Sequence, residues 1–201
     1  MSTTDVHPPE ADEPEGPRRR VRVAPFVALA AALVIGALFV LLAGSKTQTN
    51  KEDPYTPLLG KAAPNIVGTT LEGQSFDLSR RRGSWVVVNF FQSSCVPCKQ
   101  EHPDLVAFQQ QQAKTADGAE LVTVVFDDDA KSVKSFFQQN GGGDWPVVVD
   151  DGSAPVDYGV SKVPETWIIA PTGLVVEHII SAVTADGLSA EVQRLREQAG
   201  S

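Results

Sequence analysis

Cys95 and Cys98 are the only cysteines in the 201-residue chain, set as Cys95-Val96-Pro97-Cys98 directly after the apolar run Trp85–Phe91. A strand that ends in two closely spaced cysteines at the mouth of a helix is the arrangement of a reversible dithiol/disulfide pair. Cys95 would sit at the helix N-terminus, where unpaired N–H groups and the helix dipole favour an anion and so the attacking thiolate. Cys98, one turn in, is placed to resolve a mixed disulfide. A purely structural disulfide is the poorer reading, because so small a ring removes little chain entropy. A zinc site needs more ligands than two cysteines, and His102 is the only histidine nearby in sequence.

The elements that must hold this pair follow from the apolar pattern. Ile66–Thr70 and Ser75–Leu78 flank the Glu72-Gly73 turn signal and read as a short hairpin. Trp85–Phe91 reads as a buried strand, and Val96–Lys114 as a helix kinked by Pro103, with Leu105 and Phe108 inward. Strands follow at Glu120–Phe126 and Pro146–Val149, separated by a helix at Ala130–Asn140 that Gly141-Gly142-Gly143 ends. Thr166–Ala170 and Val175–Ser181 read as a hairpin around Pro171-Thr172-Gly173, before a last helix at Ala185–Gln198. Asp127-Asp128-Asp129 closes a strand, and Asp129 is the expected N-cap of the helix after it. This order predicts an α/β fold, a mixed central sheet flanked by helices.

Upstream of the domain, residues 1–22 are rich in proline and charge and read as a disordered cytoplasmic tail. Residues 23–44 carry no charge and are long enough to cross a ~30 Å hydrocarbon core as one N-terminal signal-anchor helix. Arg18-Arg19-Arg20 and Arg22 precede that span, which puts the N-terminus inside and residues 58–201 outside the cell membrane. Residues 45–57 are polar and read as a tether. Ala43-Gly44-Ser45 would also serve as a cleavage site, and export follows on either reading. The net charge of −8, from 25 acidic against 17 basic residues, leaves no basic stripe for nucleic acid. Arg80-Arg81-Arg82, the one basic cluster of the domain, reads as a solvated turn.

Two separated stretches carry a resemblance. Val87–Pro103, around Cys95-Val96-Pro97-Cys98, resembles the active-site segment of TlpA/ResA/CcmG-type membrane-anchored thioredoxin-like proteins. Tyr158-Gly159-Val160-Ser161-Lys162-Val163-Pro164-Glu165-Thr166 is similar to that family's second motif, and Gly60-Lys61-Ala62-Ala63-Pro64 and Leu71–Leu78 also fit. The likeness implies a thioredoxin-like fold and thiol–disulfide exchange with exported proteins, through Cys95 and Cys98 and with no cofactor or metal. It implies that Pro164 is a cis-proline facing the disulfide, leaving the Val163 backbone to pair with an extended substrate. Where thioredoxins carry a buried Asp, this chain has Asn89, so proton transfer at Cys98 needs another group. Glu101 and Glu165 are the candidates: a carboxyl in a partly desolvated site can shuttle a proton.

Two residues depart from the family pattern. Ser94 stands where a Trp commonly precedes the first cysteine, and Lys162 replaces a Gly of the CcmG-type motif. Three functional classes compete. The first is an oxidoreductase for exported protein disulfides. Its lead role is a reductase for the C-x-x-C-H cysteines of apocytochrome c, fed by a transmembrane electron donor. Its alternative role is a disulfide-forming oxidant. A peroxidase is weaker, since Gln92 stands where a hydroxyl residue is wanted. A copper chaperone is also weaker, because its chemistry uses a longer cysteine spacing and a remote histidine, and His178 falls in a hairpin strand. Val96-Pro97 lacks the histidine of strongly oxidising sites, which favours the reductant.

Overall fold

Every residue of Val86–Phe91 is buried, as a strand must be when it lies inside a sheet covered on both faces. The computed structural model describes residues 56–200. The expected tail, the 23–44 span and nearly all of the tether lie outside the described residues. Among the described residues no helix is long and apolar enough to cross a membrane.

In chain order the elements are β1 (Val67–Thr70), β2 (Ser75–Asp77), a 3-10 turn (Leu78–Arg81), β3 (Val86–Phe91) and α1 (Val96–Gln112). They continue with β4 (Glu120–Val125), α2 (Ala130–Gln139), β5 (Val147–Asp150), α3 (Ser153–Tyr158), β6 (Glu165–Ile169), β7 (Val175–Ile179) and α4 (Ala185–Ala199). The seven strands form one sheet in the order β2-β1-β5-β4-β3-β6-β7. The inner strands β3, β4 and β5 are parallel, and β6, β7, β1 and β2 join antiparallel on either side. This is the mixed, helix-flanked sheet that the element order predicts.

Alternation along β3 splits the core. Val87 and Phe91 face one side, with Cys98, Leu105 and Phe108 of α1, Phe136 of α2 and Val192 of α4. Val86, Val88 and Phe90 face the other, with Tyr158 of α3 and Trp167 of β6. Asn89, at the same phase as Val87 and Phe91, therefore points to the face that α1 covers. That one fact of phase places an amide under the cysteines. The helix α1 runs through Pro103 without interruption.

The acidic turn after β4 starts α2 as expected. Asp129 accepts from the Ser132 amide at 2.9 Å and from the Ser132 hydroxyl at 2.6 Å. Asn140 and Gly141 end the helix, with Gly141 at φ 93° and the Gly142 amide returning to the Phe137 carbonyl at 2.7 Å. Asp129→Ala is expected to lower stability by about 1 kcal/mol, the typical worth of an N-cap. Thermal melts of the two proteins check this, and an unchanged midpoint would remove the cap from the account.

Two short elements were not legible in the apolar pattern. The α3 turn starts on Asp150 and Asp151, whose carboxylates accept from Ala154 and Ser153 amides at 2.7 and 3.0 Å. Gly159, at φ 70°, closes it. The 3-10 turn is capped by Asp77, which accepts from the Ser79 amide at 3.0 Å. Its arginines are not all idle: Arg81 pairs with Glu120 at 3.0 Å and lies over the Phe76 ring.

Candidate active site

Beyond β3 the chain makes a tight turn in which the Cys95 amide donates to the Gln92 carbonyl at 3.1 Å. Cys95 then caps α1 in extended geometry, and its Sγ accepts from the Cys98 amide at 3.1 Å. The two cysteines form a disulfide with an S–S distance of 2.15 Å and a Cα–Cα distance of 5.3 Å. Cys98 is wholly buried while Cys95 is half-buried, so an approaching partner meets the Cys95 sulfur. Beside it Val96 is 62% exposed, an apolar rim next to the sulfur.

The loop before β6 supplies the facing wall. The Val163–Pro164 peptide bond is cis, and the Val163 carbonyl oxygen lies 3.5 Å from Cys95 Sγ. Pro164 is buried. Cys95 and the Val163 carbonyl meet although the loop and the helix are 68 residues apart in sequence.

Beneath Cys98 sits a buried polar network. The Asn89 amide donates to Glu101 Oε1 at 2.9 Å and to Thr166 Oγ1 at 3.2 Å. The Val183 amide donates to the other Glu101 oxygen at 3.0 Å. Glu101 is only 1% exposed. Burial pushes its carboxyl up from the ordinary 4.5 to about 7; the Asn89 and Val183 hydrogen bonds pull it back, and nearby Asp104 pushes it further up. A carboxyl one helical turn beyond Cys98 that changes charge near neutrality can take or return a proton there. Asn89 Oδ1 has no hydrogen-bond partner among the described residues.

Glu165 is not brought to this network. It pairs across β3 with Phe90, so its side chain lies on the opposite face of the sheet from Cys98 and Glu101. There it meets His178 Nε2 at 2.8 Å, and the His178 ring stacks on Trp167 at 3.6 Å. Of the two candidate carboxylates, Glu165 is corrected: it lies on the other face of the sheet with His178, and only Glu101 joins the network with Asn89. Pro164 turns the chain into β6, after which alternate residues face opposite sides. Thr166, not Glu165, has the phase of Asn89.

Sequence reasoning did not single out Thr166 or Val183. Thr166 stood inside the second motif, but only the register of β6 on β3 gives it a role. His102 is buried among Phe136, Phe137 and Trp145, with Nε2 2.9 Å from the Gly142 carbonyl oxygen. Burial holds its pKa below the ordinary value. His102 is thus engaged in the packing of α2, and His178 with Glu165. Among the described residues no group of three or more His, Cys, Asp or Glu side chains could hold a metal ion.

Comparison with known proteins agrees with this geometry. Residues 59–178 match the model of the AhpC/TSA family. The chain is 33% identical over 138 residues to the thiol-disulfide oxidoreductase ResA of Bacillus anthracis, covering 68% of this chain and 78% of the relative. It is 31% identical over 143 residues to the thiol:disulfide interchange protein HelX of Rhodobacter capsulatus, covering 70% and 78%. The solved structure of a thioredoxin-family thiol:disulfide interchange protein from Chlorobium tepidum superposes with a TM-score of 0.60. That match, at 24% identity, covers 66% of this chain and 94% of the other, and it shows the shared fold.

Proposed function

The chain belongs to the AhpC/TSA family, as a thioredoxin-like thiol-disulfide oxidoreductase of the TlpA/ResA/CcmG type, and from that membership we propose that it reduces disulfides of exported proteins through Cys95 and Cys98. The observation that carries the reading is the half-buried Cys95 sulfur at the N-cap of α1, facing the Val163 carbonyl above a buried Glu101.

The cycle starts from the reduced pair. Cys95 thiolate, favoured by the Cys98 amide and the helix N-terminus, attacks one sulfur of a substrate disulfide and releases the other as a thiolate. An extended substrate segment would lie against the Val163 backbone, which positions its sulfur with little side-chain selectivity. Cys98 then loses its proton to Glu101 and attacks the Cys95 sulfur, which frees the second substrate thiol. Two electrons have moved from the pair to the substrate, and the Cys95–Cys98 disulfide remains.

The wider setting is part of the same proposal. The apolar stretch at residues 23–44, with arginines before it, would tether the domain outside the cell membrane. Reduction there consumes electrons that this chain does not generate, so a transmembrane donor must reset the disulfide. The heme-site cysteines of apocytochrome c are the substrate class proposed; the absence of a histidine between Cys95 and Cys98 supports the reducing direction, while Lys162 departs from the CcmG-type second motif.

The reduction potential tests direction. Equilibration of the chain with defined thiol buffers is expected to give a value well below about −200 mV. A value near about −120 mV would instead make the protein an oxidant that inserts disulfides.

A further inference from the structure

The segment that carries Cys95 is held by an acidic turn. Phe91 ends the β3 ladder, where its carbonyl accepts from the Phe126 amide at 2.8 Å. Between Phe91 and Cys95 lie Gln92, Ser93 and Ser94, and the last of these is exposed. The restraints on this stretch toward the neighbouring strand are polar. Gln92 Nε2 donates to the Asp127 carbonyl at 2.8 Å, and the Ser93 amide donates to Asp128 Oδ2 at 2.6 Å. The other Asp128 oxygen accepts from the Asp129 amide at 2.8 Å, which fixes the carboxylate in its turn. Asp127 takes a left-handed backbone (φ 44°), a conformation that aspartate tolerates better than most residues.

We propose that Asp128 is a positioning residue for the redox pair: its carboxylate grips the Ser93 amide and so sets how the Cys95 sulfur meets the first turn of α1. The chemistry needs such a grip. Thiolate stabilisation at Cys95 depends on the Cys98 amide reaching Sγ, now at 3.1 Å, and hydrogen bonds of this kind weaken steeply as the angle and distance loosen. A carboxylate acceptor makes the stronger type of bond to a backbone amide. An immobile acceptor in the turn after β4 therefore transmits its position through two residues to the nucleophile.

The same carboxylate carries a negative charge toward the site, which by itself disfavours a thiolate. Grip and charge thus act in opposite directions, and two substitutions separate them. Asp128→Asn removes the charge and keeps one oxygen, which can hold the Ser93 amide while the bond to the Asp129 amide is given up; Asp128→Ala removes the charge and both bonds. The other charged or titratable groups on the elements around Cys95 are Lys99, Glu101, His102 and Asp104 on α1, Asp127 and Asp129 in the turn, and Lys162 before Pro164. Both substitutions leave those side chains in place, and both give up an Asp128 bond to the Asp129 amide, so that loss cancels in the comparison.

The inference rests on Cys95 being the attacking thiol, and the test reads that first. The fully reduced chain is alkylated with iodoacetamide across pH 5–9, and peptide mass spectrometry locates the label. Label on Cys98 before Cys95 would overturn the functional reading and this inference with it. With Cys95 labelled first, the Asp128→Ala thiolate is expected to titrate higher than the Asp128→Asn thiolate. The Ala variant should then alkylate at least about threefold more slowly at neutral pH, whatever the two melting temperatures are. Superimposed Ala and Asn profiles, or an Ala profile below that of Asn, would overturn the positioning role. Asp128→Ser, which also removes the carboxylate, replaces the Ala variant if that one does not fold.

Discussion

Cys95→Ser is expected to drop turnover of a protein disulfide to the uncatalysed rate, and Cys98→Ser to halt the enzyme after its first step. The difference comes from access. Cys98 is fully buried behind the first turn of α1, while Cys95 reaches solvent beside the exposed Val96. A substrate disulfide can therefore be opened only at Cys95, and a mixed disulfide at Cys95 can be cleared from inside only by Cys98. The Cys98→Ser protein should accumulate as a covalent adduct with its substrate, visible on a non-reducing gel and gone after added thiol. Cys95→Ser should form no adduct. Adducts on the Cys95→Ser protein instead would reverse the two roles.

Glu101→Gln is expected to have the second largest effect, on two readouts. The first is the resolving step. A glutamine cannot take the Cys98 proton, and loss of a positioned general base typically costs roughly 10²–10⁴-fold. The pH–rate profile should also lose an inflection near 7, the value to which burial pushes Glu101. The second is stability of the oxidised protein, in which the cysteines do not titrate. Glu101 binds its proton more tightly folded than unfolded, so between pH 4.5 and about 7 the folded chain keeps a proton that the unfolded chain releases. Stability from this group is full below 4.5, falls as pH rises through the window, and is flat above it, by roughly 3 kcal/mol at most.

His102 opposes this trend. Its depressed pKa gives stability that is present above the ordinary histidine value and lost as pH falls toward the folded one. The wild-type curve is a sum of the two, and only the difference between wild type and Glu101→Gln isolates the carboxyl. That difference should move in favour of the variant from pH 4.5 to about 7, as urea melts at several pH values would show. Parallel curves would mean that Glu101 ionises at its ordinary value. The variant should fold, because rotation of the Asn89 amide would turn its unpartnered oxygen toward the N–H group that the substitution introduces.

Much of the chain's chemistry was local and therefore legible. The two cysteines, the strand before them and the helix after them lie within one continuous stretch. Three residues along a helix bring Glu101 beneath Cys98 by geometry alone. The cap of α2 at Asp129 and the break at Gly141 followed from residue type. The parallel core and the antiparallel hairpin at β6–β7 followed from element order.

Tertiary structure decided what spacing could not. Which of Glu101 and Glu165 stands under the pair depends on the register of β6 against β3, a contact between segments 77 residues apart at Asn89 and Thr166. A shift of one residue would have exchanged Glu165 and Thr166 between the faces. The raised pKa of Glu101 is likewise tertiary: it comes from burial against Asn89 of β3, in a site closed by the Val183 amide 82 residues away. The grip of Asp128 on Ser93 joins two loops that sequence shows only as an acidic turn and a polar linker. Residue type and local spacing determined that this chain exchanges disulfides. The pairing of β3, the centre of the sheet, with β4 and β6 decided which side chains surround the exchange, because only that pairing fixes which residues share a face.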